Sequence, residues 1–217
     1  EIVDQTSTPF GIRSIEFSAE KGFLLNGEPV LLKGGNMHHD NGPLGAAAFD
    51  RAEERRVELM KQNGFNAIRT SHNPPSTAFL NACDSLGMLA VDEAFDQWQI
   101  PKNPDDYNRY FDDWHERDLA AMVLRDRNHP SVIMWSIGNE INERATAKGV
   151  EIASRLKRIV KKYDKTRPVT NAICGFWEPQ NKGREWKDTI PAFAVLDVHA
   201  YNYNWQYYEK EYFYFTY

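Results

Sequence analysis

No apolar run in the 217-residue sequence approaches the ~20 residues that a membrane-spanning helix needs, so no span is expected. Cysteine is scarce. Cys83 and Cys174 are too few for a disulfide scaffold or a cysteine-based zinc site. One disulfide between them stays open as an alternative; two buried thiols are the expectation. An excess of positive charge is also missing. Lys+Arg number 26 against 31 Asp+Glu, for a net charge of -5. Phosphate binding wants clustered cations, so no nucleic-acid partner is expected. No G-x-G-x-x-G follows the first strand, which removes the signature of a dinucleotide-binding fold. The opening Glu1-Ile2-Val3-Asp4 carries neither initiator Met nor signal peptide, as in a mature or internal segment, and leaves the compartment unreadable.

What is present suits a folded domain. Hydrophobic residues make up 41% and charged residues 26%. The length fits one domain with a sizeable core, or one plus a short appendage. Phe10 to Phe17 alternates apolar and polar residues, the pattern of a half-buried strand. Asn26-Gly27 between two apolar runs is a hairpin signal. Strands are then predicted over 30–35, 65–69, 88–92, 131–136, 168–172 and 192–198. Helices are predicted over 49–63, 77–86, 108–126 and 148–163, with Gly64 and Gly87 as stops. Strands alternating with helices imply a parallel sheet with helices outside it. A doubly wound sheet and a (β/α) barrel share that pattern. Residues 201–217 are dense in Tyr, Phe and Trp and show no convincing helix, so 206–217 reads as an atypical or truncated aromatic tail.

The ends of the strands discriminate. One after another, they finish in polar clusters: Asn36-Met37-His38-His39-Asp40, Arg69-Thr70-Ser71-His72-Asn73, Asp92 to Trp98, Ser136-Ile137-Gly138-Asn139-Glu140, Asn171 with Trp177 beyond it, and Asp197 to Tyr203. A barrel enzyme collects its active site in that way. The sharpest signal is Trp135-Ser136-Ile137-Gly138-Asn139-Glu140, a buried strand delivering a carboxylate beside a carboxamide. Glycoside hydrolysis needs a carboxyl that can donate a proton to the leaving oxygen, and an Asn beside it can bond the sugar 2-hydroxyl. The plainer alternative is that Glu140 caps the next helix.

The stretches Asn36 to Asp40, Phe65 to Pro74, Val91 to Asp96 and Trp135 to Glu140, taken together and in order, resemble glycoside hydrolase family 2, with the flavour of its bacterial β-galactosidases. The resemblance covers about residues 10–205. It implies an α/β fold, a partial (β/α)8 TIM barrel of about six of eight strands, preceded by a short β segment from a sandwich domain. Residues 1–20 would end that sandwich, and 21–205 would be the catalytic barrel. It implies a retaining hydrolase of β-linked galactosides, with β-glucuronidase or β-mannosidase as alternatives. Glu140 matches the acid/base. Asn139 matches its neighbour at the 2-hydroxyl. His38 and His72 match mouth histidines that touch the sugar, and Arg69 an arginine near the catalytic carboxylates. Asp96 and Trp98 fall where the family lines its sugar subsite. Tyr203, less so Tyr201, matches a tyrosine bonded to the nucleophile.

Other roles are weighed against these. Trp177 is a sugar-stacking platform or a barrel lid. Arg69 serves the site or only pairs with Glu93. His39, His115 and His129 are structural, Asp92 is a strand-end structural carboxylate, and Glu178 faces solvent. No catalytic metal is expected, Mg²⁺ on Asp92, Glu93 and Asp96 being the alternative. The family's nucleophile belongs to a seventh strand. Glu209 and Glu211 lack the apolar strand that should precede it, so the chain is expected to be inactive alone. Two open sheet edges invite association, including a homo-oligomer. The resemblance suggests a bacterial periplasm or cytoplasm. Two competing readings are a non-catalytic carbohydrate-binding barrel remnant and, last, an endo-β-glycanase.

Overall fold

The structure, a computed structural model, describes residues 3–207. Glu209, Glu211 and the tail from residue 208 lie outside the described residues. Two sheets organise the rest. The first is an antiparallel meander of β1 (Ile15–Ser18), β2 (Gly22–Leu25) and β3 (Glu28–Pro29). Asn26 and Gly27, at φ of 54° and 84°, form the β2–β3 turn, the paired positive φ that a two-residue hairpin requires. Because β1 pairs with β2 along its whole length, a domain boundary at residue 20 would cut through this sheet.

The second sheet is parallel and runs in chain order: β4 (Gly34–His38), β5 (Ala67–Ser71), β6 (Leu89–Glu93), β7 (Val132–Asn139), β8 (Val169–Ile173) and β9 (Ala200–Tyr201). Between the strands stand α1 (Asp50–Gln62), α2 (Thr77–Leu86), α3 (Asn108–Asp126), α4 (Ala147–Tyr163) and the short α5 (Ile190–Phe193). It is a curled half-barrel with helices outside. Local chemistry sets the ends of the helices. The Ser76 hydroxyl accepts the Phe79 N–H at 3.2 Å, and Gly87 closes α2 in the left-handed conformation that glycine tolerates. Thr146 caps α4 through the Gly149 N–H at 3.0 Å.

Two elements differ from the sequence expectation. The first barrel strand starts at Gly34, not at Val30. The Asn66 side chain accepts the Lys33 N–H and donates to Leu31 O, and its backbone N–H bonds Lys33 O at 3.0 Å, so residues 31–33 hang on one residue and the paired strand begins only at Gly34. The apolar run 192–198 is not a strand. Pro191, which suits the first turn of a helix, opens α5, and Ala192, Phe193 and Leu196 turn one face to the core. A short apolar run carries no period that separates the two states. The strand forms later, at Ala200–Tyr201.

The main core lies between strands and helices and includes Leu80, Phe111, Trp135, Ile137 and Leu156, each fully buried. A second cluster joins Phe23 of the meander to Ile133 and Met134, with Leu89, Val91 and Val198 against it. The meander therefore closes the N-terminal end of the half-barrel and leaves the C-terminal end free to carry polar groups. Both cysteines are free and buried, and burial pushes the Cys174 thiol up to about 12.

Asp92 turns away from the barrel interior to face Asp126 of α3. Counted as a carboxylate, neither of its oxygens has a donor in reach; a proton shared with Asp126 supplies one. Burial, and then the charge of Asp126, push Asp92 well above the usual carboxylate range against the opposing pull of Arg125 and Arg167. Between the ordinary Asp pKa of ~3.9 and that raised value, the folded state keeps a proton that the unfolded chain has lost, so stability falls as pH rises. Asp92→Asn removes this dependence. In urea titrations from pH 4 to 8 the variant should gain on the parent with increasing pH, by up to ~1.4 kcal/mol per pH unit within the window. Parallel stability curves would show that Asp92 is ionised in the fold.

Candidate active site

The C-terminal ends of β4 to β9 converge on one polar web. Its hub is Glu93, whose side chain is fully buried at the end of β6. Arg69 from β5 donates to Glu93 Oε2 through Nε at 2.8 Å, and its Nη2 lies 2.7 Å away. His72 Nδ1 stands 2.5 Å from Oε1, and Ser136 Oγ donates to Oε2 at 2.6 Å. A carboxylate can only accept, so His72 presents a protonated Nδ1 to it. Such a charge is tolerable in the interior because each oxygen finds a donor. Arg69 pairs with Glu93 and also donates to Asn139 Oδ1 at 2.8 Å and Asn202 Oδ1 at 3.3 Å.

Asn139 is the last residue of the wholly buried β7, and Glu140 follows it directly. Glu140 has a φ of 48°, rare for a residue with a Cβ and common where function over-determines the backbone. Its N–H bonds Ala172 O at 2.8 Å, and its Oε1 accepts Asn202 Nδ2 at 2.7 Å. It is held by a neighbouring strand, and does not serve merely as a cap on α4, whose cap is Thr146. Asn139 Nδ2 donates to Asp96 Oδ1 at 2.9 Å, and Lys102 Nζ joins Asp96 Oδ1 at 2.6 Å and Asn139 O at 2.9 Å. Burial pushes the Asp96 carboxyl up, but the bonds from Lys102 and Asn139 outweigh it and hold it below the usual range. Tyr203, also at positive φ, is largely exposed. The charge of Glu140, then burial and a hydrogen bond to Glu140, raise its phenol. Tyr201 instead packs in the core against Trp186 and Phe193.

His38 is exposed at the mouth, its ring edge-on to His72 with centroids 4.9 Å apart. His39 bonds Asn73 O, His115 bonds Phe111 O within α3, and His129 pairs with Asp84. Two expectations are corrected. Trp98 lies in the core at 1% exposure, with its indole N–H donated to Ile137 O at 2.9 Å, so it lines no sugar subsite. Glu178 does not face solvent unpartnered; Arg144 holds its carboxylate at 2.7 Å. Trp177 is 57% exposed beside Tyr203. Asp92, Glu93 and Asp96 do not come together as a cation site: Asp92 faces the helices, and the other two carboxylates are engaged as described. Among the described residues no three His, Cys, Asp or Glu side chains form a metal-binding group.

Sequence reasoning passed over Asn202 and Lys102. Asn202 had a signal, a strand-end carboxamide next to a tyrosine of interest. Lys102 had none, being one lysine in a Pro-, Asn- and Asp-rich loop. The web as a whole can hold a polyhydroxylated ring and present it with the Glu140 carboxyl, which forms no ion pair among the described residues.

Comparison with known proteins agrees with this geometry. Residues 17–173 match the family described as "Glycosyl hydrolases family 2, TIM barrel domain". A β-galactosidase of Bacteroides ovatus is 42% identical over an alignment covering 94% of this chain and 27% of that protein. Among solved structures, a glycosyl hydrolase family 2 member from Bacteroides cellulosilyticus superposes with a TM-score of 0.86 at 55% identity, covering 93% of this chain and 25% of the other. A Bacteroides uniformis β-glucuronidase does so at 0.73 and 33% identity, covering 89% and 23%. The chain thus spans about a quarter of the length of these relatives.

Proposed function

The chain belongs to glycosyl hydrolase family 2, and on that premise we propose that it carries the acid/base half of a retaining glycosidase acting on β-linked galactosides. The observation that carries the reading is Glu140, delivered by a buried strand, bonded to Asn202 and set beside Asn139 and Tyr203. Glu140 protonates the leaving oxygen and then serves as base toward water. Asn139 contacts the 2-hydroxyl, His38 and His72 bind the sugar, and Asp96 lines its subsite. Arg69 holds Glu93 and Asn139 in place.

Retention needs a second carboxylate ~5–5.5 Å from the first. Glu93 is bound by Arg69, His72 and Ser136, Asp96 by Lys102 and Asn139, and Glu178 by Arg144. We assign the nucleophile to none of them, and the 217-residue chain on its own is expected to turn over nothing.

A β-glucuronidase is the second reading, supported by the likeness to the Bacteroides uniformis enzyme. It would need a cation for the sugar carboxylate. Arg69 and Lys102, the cations in the web, are already committed to Glu93 and Asp96, which favours a neutral sugar. The test is turnover of aryl β-galactoside and aryl β-glucuronide by the intact protein, read beside its mass. Preference for the galactoside by tenfold or more in kcat/KM is expected. Preference for the glucuronide overturns the assignment, and galactose binding without turnover of either substrate means a binding remnant.

A further inference from the structure

Past Glu140 the mouth continues into a cavity of about 520 Å³, walled by Lys102, Glu140, Asn142, Trp177, Glu178 and Gln180 among others. That is ample for a small polar ligand. Its position has a chemical meaning that rests on the reading of Glu140 as the acid. A general acid delivers its proton to the leaving oxygen, so the leaving group sits against the acid's carboxyl. This cavity is bounded by that carboxyl.

Trp177 gives the cavity its character. Its indole is 57% exposed, yet its loop is clamped. Arg144, with its side chain fully buried, donates to Ile141 O at 2.8 Å, to Cys174 O at 3.1 Å, to Gly175 O and to the Glu178 carboxylate at 2.7 Å. It also lies 4.7 Å over the Phe176 ring. Asn181 bonds both Glu178 and Asn142 O, at 3.2 Å each. The backbone is therefore pinned on both sides of the tryptophan. Gly175 makes room beneath the ring, since a Cβ there would come within 3.3 Å of the indole. Tyr203 meets Trp177 edge-on at 5.7 Å and bonds Glu140, so side chains run in contact from the acid to the indole.

A wide aromatic face, fixed in place and left open, suits a flat ring with one apolar face and a polar edge. A pyranose has that shape, with C–H bonds on its face and hydroxyls around it. Lys102, Asn142 and Gln180 supply polar groups for those hydroxyls. We propose that this cavity is a leaving-group subsite for a pyranose stacked on Trp177, and that the substrate is a di- or oligosaccharide.

The test compares two substrates in the intact protein. Lactose carries a pyranose leaving group. β-Galactosyl fluoride carries a single atom that cannot reach Trp177 and leaves without a proton. Trp177→Ala should lower the lactose-to-fluoride ratio of kcat/KM at least tenfold, and Trp177→Phe should restore most of it. A ratio within twofold of the parent in Trp177→Ala overturns the subsite. Glu140→Gln serves as the separate control on the acid: it should lose lactose and keep fluoride. If it does so while Trp177→Ala leaves the ratio intact, the subsite alone fails. If Glu140→Gln loses both substrates equally, the reading of the acid fails. Should the protein cleave neither, saturation-transfer NMR with free glucose decides. Transfer that Trp177→Ala abolishes supports the subsite, and equal transfer in both proteins overturns it.

Discussion

In the intact protein, replacing Glu140 with Gln should lower kcat/KM on an unactivated β-galactoside by about 10²–10⁴-fold, the usual worth of a positioned general acid. The substitution is nearly isosteric. Its carbonyl oxygen can still accept the Asn202 amide that bonds Glu140 Oε1 at 2.7 Å, so the mouth should keep its shape. What disappears is the transferable proton. The loss should therefore shrink steeply as the leaving group becomes more acidic: a dinitrophenyl galactoside departs without protonation, a methyl galactoside cannot. Values of kcat/KM across a series of leaving groups, which report the first bond cleavage and not the later base-assisted attack of water, separate this from a structural role. A uniform loss across the series would mean that the amide has distorted the site, and the acid assignment would fall.

Arg69→Met should cost about 3–5 kcal/mol of stability, the range seen when one partner of a buried ion pair is removed. The arginine makes two contacts to Glu93, one to Asn139 and one to Asn202, joining β5 to three other segments of the mouth. Without it, a fully buried carboxylate keeps His72 and Ser136 and loses its guanidinium. The double variant Arg69→Met/Glu93→Gln should recover part of the loss, because the amide carries no charge to strand. Chemical denaturation of the parent, both single variants and the double variant measures this coupling. A loss under about 1 kcal/mol in Arg69→Met, far below the buried-pair range, would show that water or another cation reaches Glu93. Activity should fall as well, since Asn139 would no longer be held between Arg69 and Asp96.

Most of the architecture was legible in the chain. Four helices lie within a residue or so of their expected ranges because their signals are local: Gly64 and Gly87 beyond C-termini and apolar spacing before them, with Ser76 and Thr146 found as N-caps in the structure. The Asn26-Gly27 turn likewise needs only its own two residues. The errors came where local signals ran out. The run 192–198 carried too few residues to show a period, and its state was decided by Pro191 and by the core that Phe193 enters. Trp98 stands among the polar residues of a strand end, and nothing near it in sequence says that its indole turns inward to Ile137 O.

The amino-acid sequence by itself determined the alternation of strands and helices, the hairpin, and which residues stand at strand ends, Glu140 among them. All of these follow from backbone preferences and hydrophobic periods over short stretches of chain. Only the tertiary structure decided what each of those residues touches. Arg69 meets Asn202 across 133 positions of chain, Asn202 reaches Glu140 across 62, and Arg69 finds Glu93 across 24. Contacts of this kind exist because the parallel order β4 to β9 and its register bring the strand ends to one side. A buried charge then settles where donors from different strands converge, a cost and a gain that no single segment carries.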